Sequence, residues 1–246
     1  MLNFSRFGSK TTMPALLIAH GLFGSARNWN VISKRLSIDR EVIAVDMRNH
    51  ADSPWFDSQS YPDMAEDLAQ ILDQPTDILG HSMGGKAAMV LALKHPDLVH
   101  SLCVADIAPV AYSHSQMGPI TAMRAVDISN VSKRSDVAAQ MTDLDEATRA
   151  FLLQSFDIKA KKWSLNLDVL AREMDKIIGF PEIEGQYDGP TLFLSGGASD
   201  YVLPEHRARI KTLFPKARFA KIPGAGHWLH AEKPREFELA LKAFLL

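Results

Sequence analysis

The sequence predicts an α/β fold: a mostly parallel sheet with helices on both faces and a helical segment inserted before the last strands. Three observations carry that prediction. Short apolar or β-branched runs recur along the chain, and stretches with helical spacing separate them. The alternation then stops between Asp106 and Gly189, where helical patterns follow one another without a strand. Strand–helix alternation implies parallel strands, because each crossover between them needs a long connection, usually a helix covering one face.

The strand runs are ALLIA (15–19), EVIAV (41–45), TDIL (76–79), LCVA (102–105), TLFL (191–194) and RFAKI (218–222). PDMAEDLAQIL (62–72) and KAAMVLALKH (86–95) carry apolar residues at helical spacing, the second stopping before Pro96. PREFELALKAFLL closes the chain as a helix. In the interrupted region, helices are expected near 114–125, 132–141, 145–155 and 166–178. The domain reading is a core of residues 1–106 and 189–246, with 107–188 as a cap over the sheet's carboxyl edge. Ligands of open α/β sheets bind at that edge.

At 246 residues and 46% hydrophobic composition, the chain can bury one large core. The net charge of −2 comes from interspersed acids and bases, so neither nucleic acid nor an anionic membrane is an expected partner. KRSD (133–136) and KAKK (159–162) read as solvated helix faces. One cysteine, Cys103, leaves no intrachain disulfide and reads as a packed strand residue in SLCVA. MLNFSRFGSKTTMP lacks a signal-peptide core, and no apolar run approaches a membrane span; the expectation is a soluble, cytoplasmic protein.

Residues 80–85, GHSMGG, lie between the strand TDIL and the helix beginning KAAM. They fit G-x-S-x-G, the nucleophile elbow, in the strand–turn–helix context it requires. Ser82 must sit in a strained turn that lifts its hydroxyl above the sheet, and Gly80, Gly84 and Gly85 let neighbouring backbone pass close by. The helix that follows turns its amide end toward the site. The same letters fit G-x-x-x-x-G-K, the phosphate loop, until its last position. There Ala87 replaces the Ser or Thr that holds magnesium. A purely structural glycine turn is the third reading, and the elbow is preferred.

A serine nucleophile needs a base. Of nine histidines, His227 lies in PGAGHWLH, after the last strand and before the final helix, where the chain order Ser, acid, His places it. His230 is the alternative, expected instead to start the final helix and pack, and His20 is expected to shape its turn. The H-x-x-H pair has neither an H-E-x-x-H helix nor a cysteine cluster around it, so no metal is expected, and no organic cofactor. Two carboxylates compete as partner to His227. Asp200 follows a strand in G-x-x-D, and Asp106 ends the strand after the nucleophile helix; spacing does not decide between them. The oxyanion donors are assigned to the amides of Met83, after the nucleophile, and Leu22 in HGLFG, with Phe23 as a neighbour.

Taken together, HGLFGS, DMRNHADSP, GHSMGGKA, DIAP and PGAGHWLHAEKP resemble the α/β-hydrolase superfamily and, within it, the bacterial YbfF-type esterases. The matching pieces run from residue 14 to the C-terminus; HG and G-x-S-x-G point only to the superfamily, RNH…SP and DIAP to the narrower group. The resemblance implies that the acid is the aspartate of DIAP, Asp106. Two departures stand out. Ala51 occupies the place of the glycine in RNHG, which is expected to alter the turn. The leading segment is short, which is expected to reduce the first hairpin.

The expected activity is hydrolysis of small or medium carboxylic esters through an acyl-enzyme on Ser82, with His227 as base and Asp106 orienting it. A serine at the elbow argues against dehalogenases and epoxide hydrolases of this fold, which attack with a carboxylate. Thioesterases, C–C hydrolases and lyases share the triad, and a ligand receptor is the reading from another class. Met117, Met123, Phe156 and Trp163 are either acyl-pocket residues or cap packing. Arg48, Asn49 and His50 either meet a polar substrate or hydrogen-bond the loop beneath the site, the latter being preferred.

Overall fold

A computed structural model describes residues 1–245. Its strands are β1 (Phe4–Phe7), β2 (Leu16–Ala19), β3 (Val42–Val45), β4 (Thr76–His81), β5 (Val99–Ala105), β6 (Phe156–Asp157), β7 (Lys162–Trp163), β8 (Thr191–Gly196) and β9 (Ala217–Ile222). All but β6 and β7 form one seven-stranded sheet in the order β1-β3-β2-β4-β5-β8-β9. It is parallel except for β1, which pairs antiparallel with β3.

The central strands are apolar on both faces because both are covered. Leu17, Ile78 and Leu102 face one hydrophobic cluster, while Leu16, Leu79 and Cys103 face the other. The first face packs against α2 (Tyr61–Ala69) and α3 (Met83–Lys94); the second packs against α1 (Asn30–Leu36) and the last helix. Ser60 caps α2, accepting from the Asp63 amide, and Pro62 stands in its first turn, where no backbone donor is lost. Helix α3 is buried from Met83 to Ala92, which explains a sequence that is apolar all round rather than striped.

Between β5 and β8 lie α4 (Met117–Arg124), α5 (Arg134–Ala138), α6 (Glu146–Leu152), α7 (Leu167–Arg172) and α8 (Met174–Ile178). After β8 come α9 (His206–Leu213), α10 (Leu229–Glu232) and α11 (Pro234–Leu245). The helix expected over 166–178 is two helices meeting at Glu173, the first capped by Asn166.

The absence of strands expected in this region is corrected by the β6–β7 hairpin. Strands of two residues are too short to show alternation in sequence; this pair is held by an edge-to-face contact of Phe156 and Trp163 at 4.9 Å. KAKK therefore lies largely in a hairpin turn, with Lys161 at φ 49°, and not on a helix face. Strand β1 was also hidden, since FSRF is a half-exposed edge without an apolar run. Among the described residues no helix is long and apolar enough to cross a membrane.

Candidate active site

The turn from β4 into α3 holds Ser82 at φ 52°, ψ −119°, outside the regions open to ordinary L-residues. The strain is held from both sides. The Ser82 amide donates to Ala105 O at 3.0 Å, and its carbonyl accepts from the Lys86 amide at 3.1 Å. A Cβ on Gly80 would strike the Gly84 carbonyl, and one on Gly84 would strike the carbonyls of Ala19 and His20. Both glycines are needed for close approach.

His227, in the loop after β9, places Nε2 3.0 Å from Ser82 Oγ and Nδ1 2.8 Å from Asp106 Oδ2. With Nδ1–H donating to the carboxylate, Nε2 carries a free lone pair and can accept the serine proton. The ring also stacks on Tyr201, with centroids 3.9 Å apart. Asp106 is fully buried at φ 53°. Its carboxylate accepts from the Gly196 amide at 2.9 Å and the Ser199 hydroxyl at 2.5 Å as well as from His227. Asp200 is exposed and makes no hydrogen bond or ion pair to His227. Ser199 and Tyr201 were missed in the sequence; their signal was their position on either side of Asp200.

Other histidines crowd the site. His20 donates from Nδ1 to Gly21 O and accepts the Met47 amide on Nε2, so it shapes its turn as expected. Burial pulls its pKa down to about 4. His81 lies beside His227 and shares a hydrogen bond with its carbonyl, and burial lowers its pKa well below the usual value. His230 stacks on Trp29 at 4.2 Å, with its pKa driven to about 3 by burial. Among the described histidines lining the cavity, His227 is the one bonded to a carboxylate.

His50 donates from Nδ1 to Arg48 O and accepts the Phe23 amide on Nε2 at 3.2 Å. Gly24 gives its amide to Gly21 O. Leu22 and Met83, to whose amides the sequence assigns the oxyanion, both line the cavity beside Ser82. Arg48 forms a fork with Asp67 at 2.6 and 3.0 Å, and Asn49 bonds Ser58 O and Gln59. All three residues serve the loop beneath the site. Ala51 takes φ 48°, the left-handed conformation a glycine adopts readily, and bonds Ser164 O.

A cavity of about 300 Å³ opens over Ser82, at the small end of the range for ligand pockets. Its apolar wall includes Ile107, Phe151, Leu152, Ile177 and Trp228. Met117, Met123, Phe156 and Trp163 are not among its lining residues; Trp163 Nε1 donates to Met123 O at 2.9 Å, and the four pack within the inserted region.

A family model described as the alpha/beta hydrolase fold matches residues 14–234. The chain belongs to the α/β-hydrolase family. It is 40% identical to esterase YbfF of Escherichia coli strain K12, over 94% of this chain and 92% of that protein. It is 42% identical to the mouse sn-1-specific diacylglycerol lipase ABHD11, over 99% of this chain and 85% of the relative. Among solved structures, a marine microorganism esterase superposes with a TM-score of 0.93 at 37% identity, covering 99% of this α/β-hydrolase and 98% of that chain. These matches agree with the resemblance to YbfF-type esterases read from the motifs.

Proposed function

We propose that this α/β-hydrolase cleaves carboxylic esters of small or medium acyl chains through an acyl-enzyme on Ser82. The observation that carries the reading is the continuous relay Ser82 Oγ, His227, Asp106, with spacings of 3.0 and 2.8 Å, beneath a largely apolar cavity. Ser82 Oγ attacks the ester carbonyl as His227 Nε2 takes its proton. The amides of Leu22 and Met83 receive the oxyanion, aided by the amino end of α3. His227 then protonates the leaving alkoxide, and water repeats the sequence to release the acid. Asp106 holds the Nδ1 tautomer and stabilises the imidazolium between the two transfers.

Residues 107–188 act as the cap in this reading, since Phe151, Leu152 and Ile177 form the apolar wall facing the serine. The names of the relatives, an esterase and a diacylglycerol lipase, support ester chemistry. Labelling with a small fluorophosphonate tests the reading. One label per chain is expected on Ser82, none in Ser82→Ala, and turnover of 4-nitrophenyl esters lost by roughly 10⁶-fold in that variant. Turnover that survives Ser82→Ala would remove the serine from the chemistry.

A further inference from the structure

Lys86 stands at the lysine position of the phosphate-loop pattern that Ala87 breaks, and the serine mechanism leaves it without a role. It is 1% exposed. Its ammonium donates to Val110 O at 2.9 Å, Ile178 O at 2.8 Å and Gly179 O at 2.5 Å. An ammonium has three protons, so each has an acceptor and none is left for a phosphate. The charge also lies 4.7 Å from the centre of the Tyr112 ring and 5.7 Å from that of Tyr61. Burial lowers its pKa to about 7, while the three carbonyls favour the charged form.

The acceptors are not scattered. Val110 is on the stalk by which the chain leaves β5 for the cap; Ile178 ends α8 and Gly179 follows it, at the start of the stalk by which the chain returns to β8. The stalks touch through the Tyr112 amide and Ile178 O at 3.0 Å, and Tyr61 donates to the neighbouring Ile177 O. Lys86 itself stands one turn along α3 from Ser82. A second link runs to the base: Tyr112 Oη donates to Tyr201 O at 2.7 Å, and Tyr201 stacks on His227. Lys86, Tyr112, Ile177 and Ile178 all border the cavity.

We propose that Lys86 is a positioning residue that clasps both stalks of the cap to the serine-bearing helix and thereby sets the cavity's acyl-chain selectivity. The inference rests on the ester-hydrolase reading above. An acetyl group needs only the serine, the oxyanion loop and His227. A longer chain must also lie against Ile177 and the cap wall, whose place depends on the clasp.

The test compares 4-nitrophenyl acetate with 4-nitrophenyl octanoate in wild type and Lys86→Met, which keeps the chain length and removes the donors. Octanoate KM is expected to rise about tenfold and acetate KM to change less than about twofold, on the scale of losing hydrogen bonds to a charged group. Amide exchange over 107–113 and 174–180 should quicken about tenfold in the variant, as expected of a locally freed segment. Should Lys86→Met fail to fold, Lys86→Gln, which keeps two donors, makes the same comparison with a smaller change. An octanoate-to-acetate KM ratio that stays at the wild-type value in the folded variant overturns the proposal. Failure of wild type to hydrolyse either ester instead overturns the ester reading, and the exchange measurement then decides the clasp alone.

Discussion

Two strand ends meet at His227, and they supply it with different things. The end of β5 supplies Asp106, a fully buried carboxylate held by the Gly196 amide, Ser199 and the histidine itself. The loop after β8 supplies the Ser199 hydroxyl, the Tyr201 ring and an exposed Asp200 that touches neither ring nitrogen. The strands pair Ala105 with Leu194, so Asp106 projects directly toward the Gly196 amide. One edge thus carries the charge and the other surrounds it. A carboxylate orients an imidazole well only when its own geometry is fixed, and burial without partners would raise its pKa and neutralise it.

Asp106→Asn is the largest break available to that contrast. Asparagine tolerates φ near 53° and can still accept the Gly196 amide, so the backbone is retained. Its carbonyl and amide compete for the Nδ1 side of His227, and presenting the amide reverses the tautomer. Turnover of 4-nitrophenyl esters is expected to fall by about 10⁴, with fluorophosphonate labelling of Ser82 slowed in parallel. Turnover close to wild type would dissolve the assignment.

The contrast also explains what the sequence made legible. Strand runs such as ALLIA and LCVA stand out because covered parallel strands must be apolar on both faces. GHSMGG stands out because Gly80 and Gly84 are imposed by backbone contact, which leaves a fixed spacing around Ser82. The choice between the aspartates was different. Both follow strands in turn-like contexts, and their difference in burial arises from sheet order, which places β5 beside β8. Only the resemblance carried by DIAP favoured Asp106. Ser199, Tyr201 and Lys86 have ordinary loop or helix contexts; their contacts come from elements distant in the chain. The β6–β7 hairpin was lost for want of length, and Ala51 keeps a left-handed turn without a glycine to mark it.

Within the β8 loop, Ser199→Ala should have the next effect. It removes a hydroxyl donor from the Asp106 carboxylate while leaving the Gly196 amide and His227 in place. Loss of a hydrogen bond to a charged group predicts a fall in kcat of about tenfold, with substrate KM nearly unchanged. A fall as large as that of Asp106→Asn would make the loop an equal partner in the chemistry. Tyr201→Ala then removes the ring stacked on His227 and is expected to cost roughly three- to tenfold in kcat/KM. Tyr201→Phe, which preserves the stack, should recover most of that loss.

Asp200→Asn is the smallest and most discriminating change. The residue lies in the same loop as Ser199 and Tyr201, carries the same chemical group as Asp106, and differs from it in exposure and partners. What it can contribute is a screened negative charge near Tyr201, whose hydroxyl pKa is raised to about 12, chiefly by burial and then by this neighbour. At about 0.15 M salt the Debye length is ~8 Å, so an exposed charge acts weakly on the imidazolium formed during attack. The expected loss in kcat/KM is under about twofold, shrinking further as salt is raised. Measured beside Asp106→Asn, a loss above about a hundredfold that persists in about 1 M salt would exceed screened electrostatics and transfer the acid role to the β8 loop.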